Sequence, residues 1–255
     1  MNLTDIILLF FAGIISGSLN AIVGGGSFVS FPALIFCGIN PIMANATSTV
    51  ALWPGTLASL WAQRNELPLH KHLLKYVITA SVIGGAIGAI ILIKMSDEGF
   101  ASIVPYLLLV ATLLFTFRAS IIKLIKKIPH NINGRTFLYY FIFFAIQLII
   151  SVYGGFFGAG MGILFLAFYA VIGIDNIHEA NALRNCGGAA INSIATLIFI
   201  ISGNVAWLSV TALCMGAITG GYFCAHFAKK VESYTIRKIV VAIAWFMTFC
   251  FFLRF

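Results

Sequence analysis

Apolar runs of about 20 residues recur along the whole chain, and short polar loops separate them. A helix of that length crosses a hydrocarbon core of ~30 Å, so these runs predict transmembrane helices. Only 9% of the residues carry a charge, whereas about a quarter do so in soluble domains. The sequence therefore predicts an all-α polytopic membrane protein.

The order of long and short apolar segments occurs twice. Hydropathy predicts segments at 6–23, 27–38, 43–62, 73–93 and 103–122, and then at 136–157, 161–173, 179–201, 206–227 and 236–253. Short motifs match between the halves, as Ala44-Asn45-Ala46 does with Ala180-Asn181-Ala182. We therefore expect two repeats, residues 1–125 and 136–255, joined by a basic cytoplasmic loop at 126–135.

The basic residues predict opposite orientations for the two repeats. Lys and Arg follow segment 43–62 and fill the loop between the halves, so the positive-inside rule places both loops in the cytoplasm. The equivalent loop of the second half, 202–206, carries no charge, and the next loop is basic instead. We expect two inverted-topology repeats with about eight to ten helical segments in total and both termini in the periplasm. Topology explains the net charge of +8 better than a nucleic-acid partner does.

Glycine clusters interrupt both repeats at corresponding places, residues 24–26 and 158–160, each just before a short apolar segment. Non-helical backbone at membrane depth is tolerated only where it is buried in protein or lines a cavity. The alternative to a binding site is that these glycines only allow helices to pack closely. We favour close packing for the two GxxxG motifs at 84–88 and 216–220. Duplication of the clusters favours two glycine-broken hairpins that meet near the midplane. The helix N-termini after the breaks would then favour an anion.

Small polar side chains begin the helix that follows each short segment. The first helix has an Asn and hydroxyl groups, and the second has two Asn residues and an Arg at a spacing that places them on one face. With the glycine turns, the predicted substrate-binding residues are Gly24, Gly25, Gly26, Asn45, Thr47, Ser48, Gly158, Gly160, Asn181, Arg184 and Asn185.

Arg184 is the strongest single candidate for a substrate-binding residue. It lies about two turns into its segment, where a charged side chain is costly and normally faces a partner or a wet cavity. One interpretation is an anion clamp, since the guanidinium fork suits oxyanions. The other is a snorkelling, orienting residue paired with Glu179 or Asp175.

Residues for other chemistry are lacking. All seven acidic residues fall at predicted helix ends or in loops, which disfavours a cation pathway through the membrane. No spacing resembles a zinc pair, a catalytic triad or a phosphate-binding loop. We therefore predict neither an enzyme nor a cofactor or metal.

The glycine cluster, the segment "FPALIFCGINP" at 31–41, the helix start "ANATST" and their degenerate second copy resemble the sulfite exporter TauE/SafE family of membrane transporters. The resemblance covers nearly the whole chain. It implies a bacterial inner-membrane exporter of small sulfur-containing anions such as sulfite, sulfoacetate or other organosulfonates. By position, the family's second glycine turn includes Gly162. The second copy departs from the pattern, because it lacks the proline near 166–168 and has "LRN" in place of "TST".

From the residues and the resemblance together, we expect alternating access through a midplane site. The expected partners are a small anionic substrate, membrane lipid and a coupling ion, either a proton or sodium. Two other functions stay open at this point: an anion channel, and a membrane scaffold or assembly factor that moves no solute.

Overall fold

The computed structural model describes residues 2–22, 25–67, 71–125, 137–174, 176–227 and 233–254. Gly24 and the predicted loop 126–135 lie outside the described residues. The described helices are α1 (Leu3–Ile22), α2 (Ser27–Phe36), α3 (Pro41–Ala62), α4 (Lys71–Lys94), α5 (Asp97–Ile125), α6 (Phe137–Phe156), α7 (Met161–Val171), α8 (Ile177–Ile201), α9 (Trp207–Phe227) and α10 (Ser233–Arg254). A short 3-10 turn, Arg64–Glu66, follows α3. The predicted all-α class is confirmed, with no strand in the described ranges.

Five described helices are long and apolar enough to cross a membrane. The spans are Leu3–Asn20, Leu73–Lys94, Asp97–Phe117, Tyr139–Phe156 and His178–Ile201. The two helices that follow the glycine clusters, α2 and α7, are short, as their hydropathy predicts. α7 forms a regular helix without the proline that α2 contains.

The start of α3 is capped by a residue distant in sequence. The side chain of Asn40, the residue before α3, makes no capping hydrogen bond, and its Nδ2 donates to Asp97 Oδ2 (3.2 Å) at the start of α5. Asp97 Oδ1 accepts from the backbone N of Ile42 (3.3 Å), so the carboxylate takes over the capping. The α2–α3 and α4–α5 junctions therefore lie at the same end of the molecule.

The extensive contacts between helices have counterparts between the equivalent helices of the other predicted repeat. α1 packs along α9, and the equivalent helix α6 packs along α4. α3 packs on its own equivalent α8, and α5 packs on α10. Helices of each predicted repeat thus pack extensively against helices of the other.

The equivalent helices α3 and α8 pack antiparallel. Trp53 Nε1 donates to Ser193 Oγ (2.8 Å), and further along α3 Gln63 Oε1 accepts from Asn185 Nδ2 (3.0 Å), nearer the start of α8. Side-chain hydrogen bonds between α5 and α10 show the same antiparallel relation. Inverted repeats require this geometry. Their inversion across a membrane stays a prediction.

Glycines allow the closest helix pairs to form. A Cβ on Gly88 of α4 would overlap the carbonyl oxygen of Val152 on α6, and a Cβ on Gly220 of α9 would overlap that of Ile14 on α1. Small residues let helix backbones approach in this way within membranes. The predicted packing role of both GxxxG motifs is confirmed.

α2 is enclosed by the rest of the protein. Every residue from Phe28 to Ile35 is buried. Phe31 stacks edge-on against Phe157 (ring centroids 5.6 Å apart) and also contacts Phe251 of α10 (5.8 Å). This packing holds the first broken hairpin inside the helix bundle, where its start can border a cavity.

Candidate substrate cavity

A cavity of about 110 Å³ lies between α3 and α8. Gly25 and Ser27 border it from the first glycine break, and residues 158–162 border it from the second. Both halves of the chain therefore contribute to its wall. A cavity of this size holds several water molecules or a small ion, but it is smaller than pockets for drug-sized ligands.

The first break is supported by the helix before it. The backbone N of Gly26 donates to Asn20 Oδ1 (3.0 Å), and Asn20 itself lines the cavity. A Cβ on Gly26 would press into the carbonyl oxygen of Ser16 and the Asn20 side chain. Gly25 meets the cavity directly, whereas Gly26 lies behind it and allows α2 to start close to α1.

The second break needs two left-handed residues. Gly158 and Gly160 have φ values of 76° and 77°, a conformation that costs other L-residues free energy. The intervening carbonyl of Ala159 accepts a hydrogen bond of 2.6 Å from Tyr153 Oη, from the last turns of α6. This turn directs the start of α7 at the cavity, and Met161 and Gly162 line it.

Arg184 and Asn185 line the cavity from α8. Arg184 Nη2 donates to Asn185 Oδ1 (3.1 Å), and the arginine stem packs on α7 where a Cβ on Gly162 would lie 3.2 Å from Arg184 Cδ. Arg184 is the charged side chain among the described residues of the lining. Arg184 therefore brings a positively charged group to the lining, and Ser27 and Met161, at the N-termini of α2 and α7, border the same cavity.

The remaining polar side chains of the lining are neutral. They are Asn20, Ser27, Thr49, Thr56, Ser59 and Asn192. Amide and hydroxyl groups can donate hydrogen bonds to an oxyanion without adding charge. Thr49 and Asn192 lie on the two helices predicted to supply donors, but neither is among the predicted site residues. Asn20, Thr56 and Ser59 were not predicted because each is a separate polar residue in an apolar helix, and its neighbours in space are distant in sequence.

Two predicted donors of α3 are engaged in packing between elements. Asn45 Nδ2 donates to the carbonyl oxygen of Phe156 (3.0 Å), which ends α6. Ser48 Oγ shares a buried hydrogen bond of 2.6 Å with Ser30 Oγ of α2. Both side chains are buried and neither borders the cavity. Their contacts fasten α3 to the two broken hairpins.

Thr47 lies at one end of the α3–α8 pair. Its Oγ1 accepts a hydrogen bond of 3.0 Å from the backbone N of Ala206, at the start of α9. Thr47 is fully buried and does not border the cavity, and neither does Asn181. A substrate-binding role for these residues stays a prediction.

The helices and the cavity define a multi-pass membrane protein in which two short helices that follow glycine breaks meet a half-buried arginine, an arrangement typical of transporters. The chain belongs to the sulfite exporter TauE/SafE family of membrane transporters, whose family model matches residues 9–250. The resemblance inferred from the glycine and "ANATST" motifs is thereby confirmed. No solved structure matches the chain.

Its curated relatives carry consistent names. A probable membrane transporter protein of Haemophilus influenzae is 26% identical over 243 residues, which cover 94% of this chain and 92% of the relative. The probable membrane transporter protein YfcA of Escherichia coli strain K12 is 25% identical over 246 residues, covering 94% and 87%. The probable membrane transporter protein YunE of Bacillus subtilis strain 168 is 25% identical over 253 residues, covering 92% of each chain. These names describe transporters rather than enzymes.

Proposed function

We propose that the protein exports a small sulfur-containing anion, such as sulfite, sulfoacetate or another organosulfonate, across the bacterial inner membrane. The sulfur chemistry and the direction follow from the family description, a sulfite exporter. The observation that carries the proposal is that one cavity is bordered by residues of both glycine breaks and by Arg184.

The lining supports an anion as the substrate. It combines the positive charge of Arg184 with neutral amide and hydroxyl groups, and no Asp or Glu is found among its described residues. Charge-assisted hydrogen bonds from a guanidinium to an oxyanion are about twice as strong as neutral ones. A cation would meet repulsion at the same position.

The contacts on either side of the cavity suit alternating access. The Thr47–Ala206 bond joins the elements at the end of α3 where the helix starts, and the Gln63–Asn185 bond joins them at the other end. Movement of one repeat against the other would break the contact at one end of α3 and keep the contact at the other end. The substrate would then reach one side of the membrane at a time.

The test is flux into proteoliposomes that contain the purified protein. Sulfite, sulfoacetate, taurine, sulfate and chloride are compared with protein-free vesicles in both gradient directions. We expect saturable flux of a sulfur anion that is stimulated by the same anion on the opposite side. Saturable counter-flow identifies a carrier, whereas flux without it identifies a channel. Folded protein that moves none of these anions would contradict the proposal and favour a scaffold.

A further inference from the structure

Two hydrogen bonds connect the end of α3 to the cation of the cavity. Gln63, the residue directly after α3, accepts through Oε1 from Asn185 Nδ2 (3.0 Å). Asn185 Oδ1 accepts in turn from Arg184 Nη2 (3.1 Å). The Asn185 amide thus uses its donor on one side and its acceptor on the other, and it is held between its two neighbours.

We propose that Gln63 is a positioning residue for anion binding, which keeps the Asn185 amide turned so that Arg184 is held at the cavity. This inference rests on the proposed function. If the amide of Asn185 turned over, its NH₂ group would face the guanidinium, and two donors would oppose each other. The hydrogen bond to Gln63 holds the Asn185 side chain in place beside the guanidinium. It therefore lowers the conformational freedom of the long Arg184 side chain before substrate arrives.

The same chain of contacts couples binding to the arrangement of the repeats. Gln63 belongs to the first repeat, and Asn185 and Arg184 belong to the second. The Gln63–Asn185 bond exists only while the end of α3 is docked on α8. Separation of these two elements would remove this support of the Arg184–Asn185 bond and weaken anion binding, so opening at this end would favour release of the substrate.

The first test compares Gln63→Leu with Ser193→Ala in proteoliposomes, with radiolabelled sulfite and sulfoacetate as probes. Leucine is similar in size to glutamine but accepts no hydrogen bond. Ser193 accepts a bond of 2.8 Å from Trp53 and thus also links α3 to α8, but outside the chain that leads to Arg184. We expect Gln63→Leu to raise KM roughly five- to tenfold, the size of one lost hydrogen bond, and Ser193→Ala to leave KM within about twofold.

The second test asks whether Gln63 acts through Asn185. Asn185→Ala removes both the acceptor for Arg184 and the donor to Gln63. In that background we expect Gln63→Leu to raise KM no further, because the chain of bonds is already broken. An additional rise of the same size would overturn the inference, since Gln63 would then act by another route.

The outcomes separate the inference from the proposed function. Anion flux by the unmodified protein, with equal KM values for Gln63→Leu and Ser193→Ala, overturns the positioning role alone. Absence of anion flux from the unmodified protein overturns both. Size-exclusion chromatography verifies folding of each variant, and Gln63→Ala replaces Gln63→Leu if leucine is not accommodated.

Discussion

Arg184 carries a positive charge that borders the cavity, and its stem packs on Gly162 of α7. We expect Arg184→Gln to abolish binding of the sulfur anion while the protein stays folded, because glutamine retains hydrogen-bonding groups but not the charge. Titration calorimetry of the purified protein with sulfite measures the affinity. Unchanged affinity would instead assign Arg184 to membrane orientation.

Asn185 offers a second test of the same charge. Asn185→Asp keeps the side-chain shape but places a carboxylate on the Arg184 guanidinium, within the present hydrogen-bond distance of 3.1 Å. Because the new ion pair cancels the positive charge of the cavity, we expect the anion dissociation constant to rise at least tenfold, about 1.4 kcal/mol. Asn204→Asp, the same change in the α8–α9 junction, is the matched control and should leave the constant unaltered. Equal effects of the two substitutions would contradict a specific role for the charge.

Among the structural elements, the turn before α7 has a left-handed backbone and also borders the cavity. Gly160 has φ = 77° beside the cavity, and Gly38 has φ = 79° in the exposed α2–α3 junction. Alanine at either position should lower the free energy of unfolding by about 1–2 kcal/mol, since both backbones are left-handed. Only Gly160→Ala should also reduce anion flux, because only this turn borders the cavity. Melting temperature and proteoliposome flux measure the two effects, and equal flux from the two variants would separate the turn from transport.

The two glycine-packed helix pairs give a prediction about stability alone. Gly88→Ala and Gly220→Ala would force α4 away from α6 and α9 away from α1, because each new Cβ meets a backbone carbonyl that cannot turn aside. We expect each to lower the free energy of unfolding by about 1–3 kcal/mol, as overpacking does. Gly55→Ala of α3 is the control, since its Cβ would meet nothing within 4 Å. Thermal unfolding in detergent distinguishes them, and a Gly88→Ala variant as stable as Gly55→Ala would refute close packing as the reason for glycine.

For the whole molecule, hydropathy predicted the helices well because every long segment must hide its backbone polar groups in a helix. The segment predicted at 161–173 corresponds to α7, Met161–Val171. Helix ends were less predictable where a contact distant in sequence decides them. α3 is an example, because Asp97 from the next junction caps its start.

The site was predictable only where a residue is unusual for a membrane helix. Arg184 and the left-handed Gly160 stand out in an apolar sequence, and both line the cavity. The same reasoning selected Thr47, whose hydroxyl instead accepts a bond from Ala206. Spacing shows that polar groups share a helix face but not what packs against it. Asn20 was not predicted, because its hydrogen bond with Gly26 forms only when α2 packs against the end of α1.

The arrangement of the junctions makes the inverted topology testable. Hydrogen bonds to Asp97 and from Ala206 place the α4–α5 and α8–α9 junctions at the same end of α3, and Asn65 lies just beyond its other end. The basic residues that follow α3 predict that the Asn65 end is cytoplasmic.

In a variant without the five native cysteines, we expect Ser96→Cys and Ser202→Cys to react with a membrane-impermeant maleimide in spheroplasts. Asn65→Cys should react only after permeabilisation. The cysteine-free parent controls for background. Because the α3–α4 and α8–α9 junctions are equivalent in the two repeats, labelling of both from one side would contradict inversion, whereas labelling from opposite sides would place the repeats as alternating access requires.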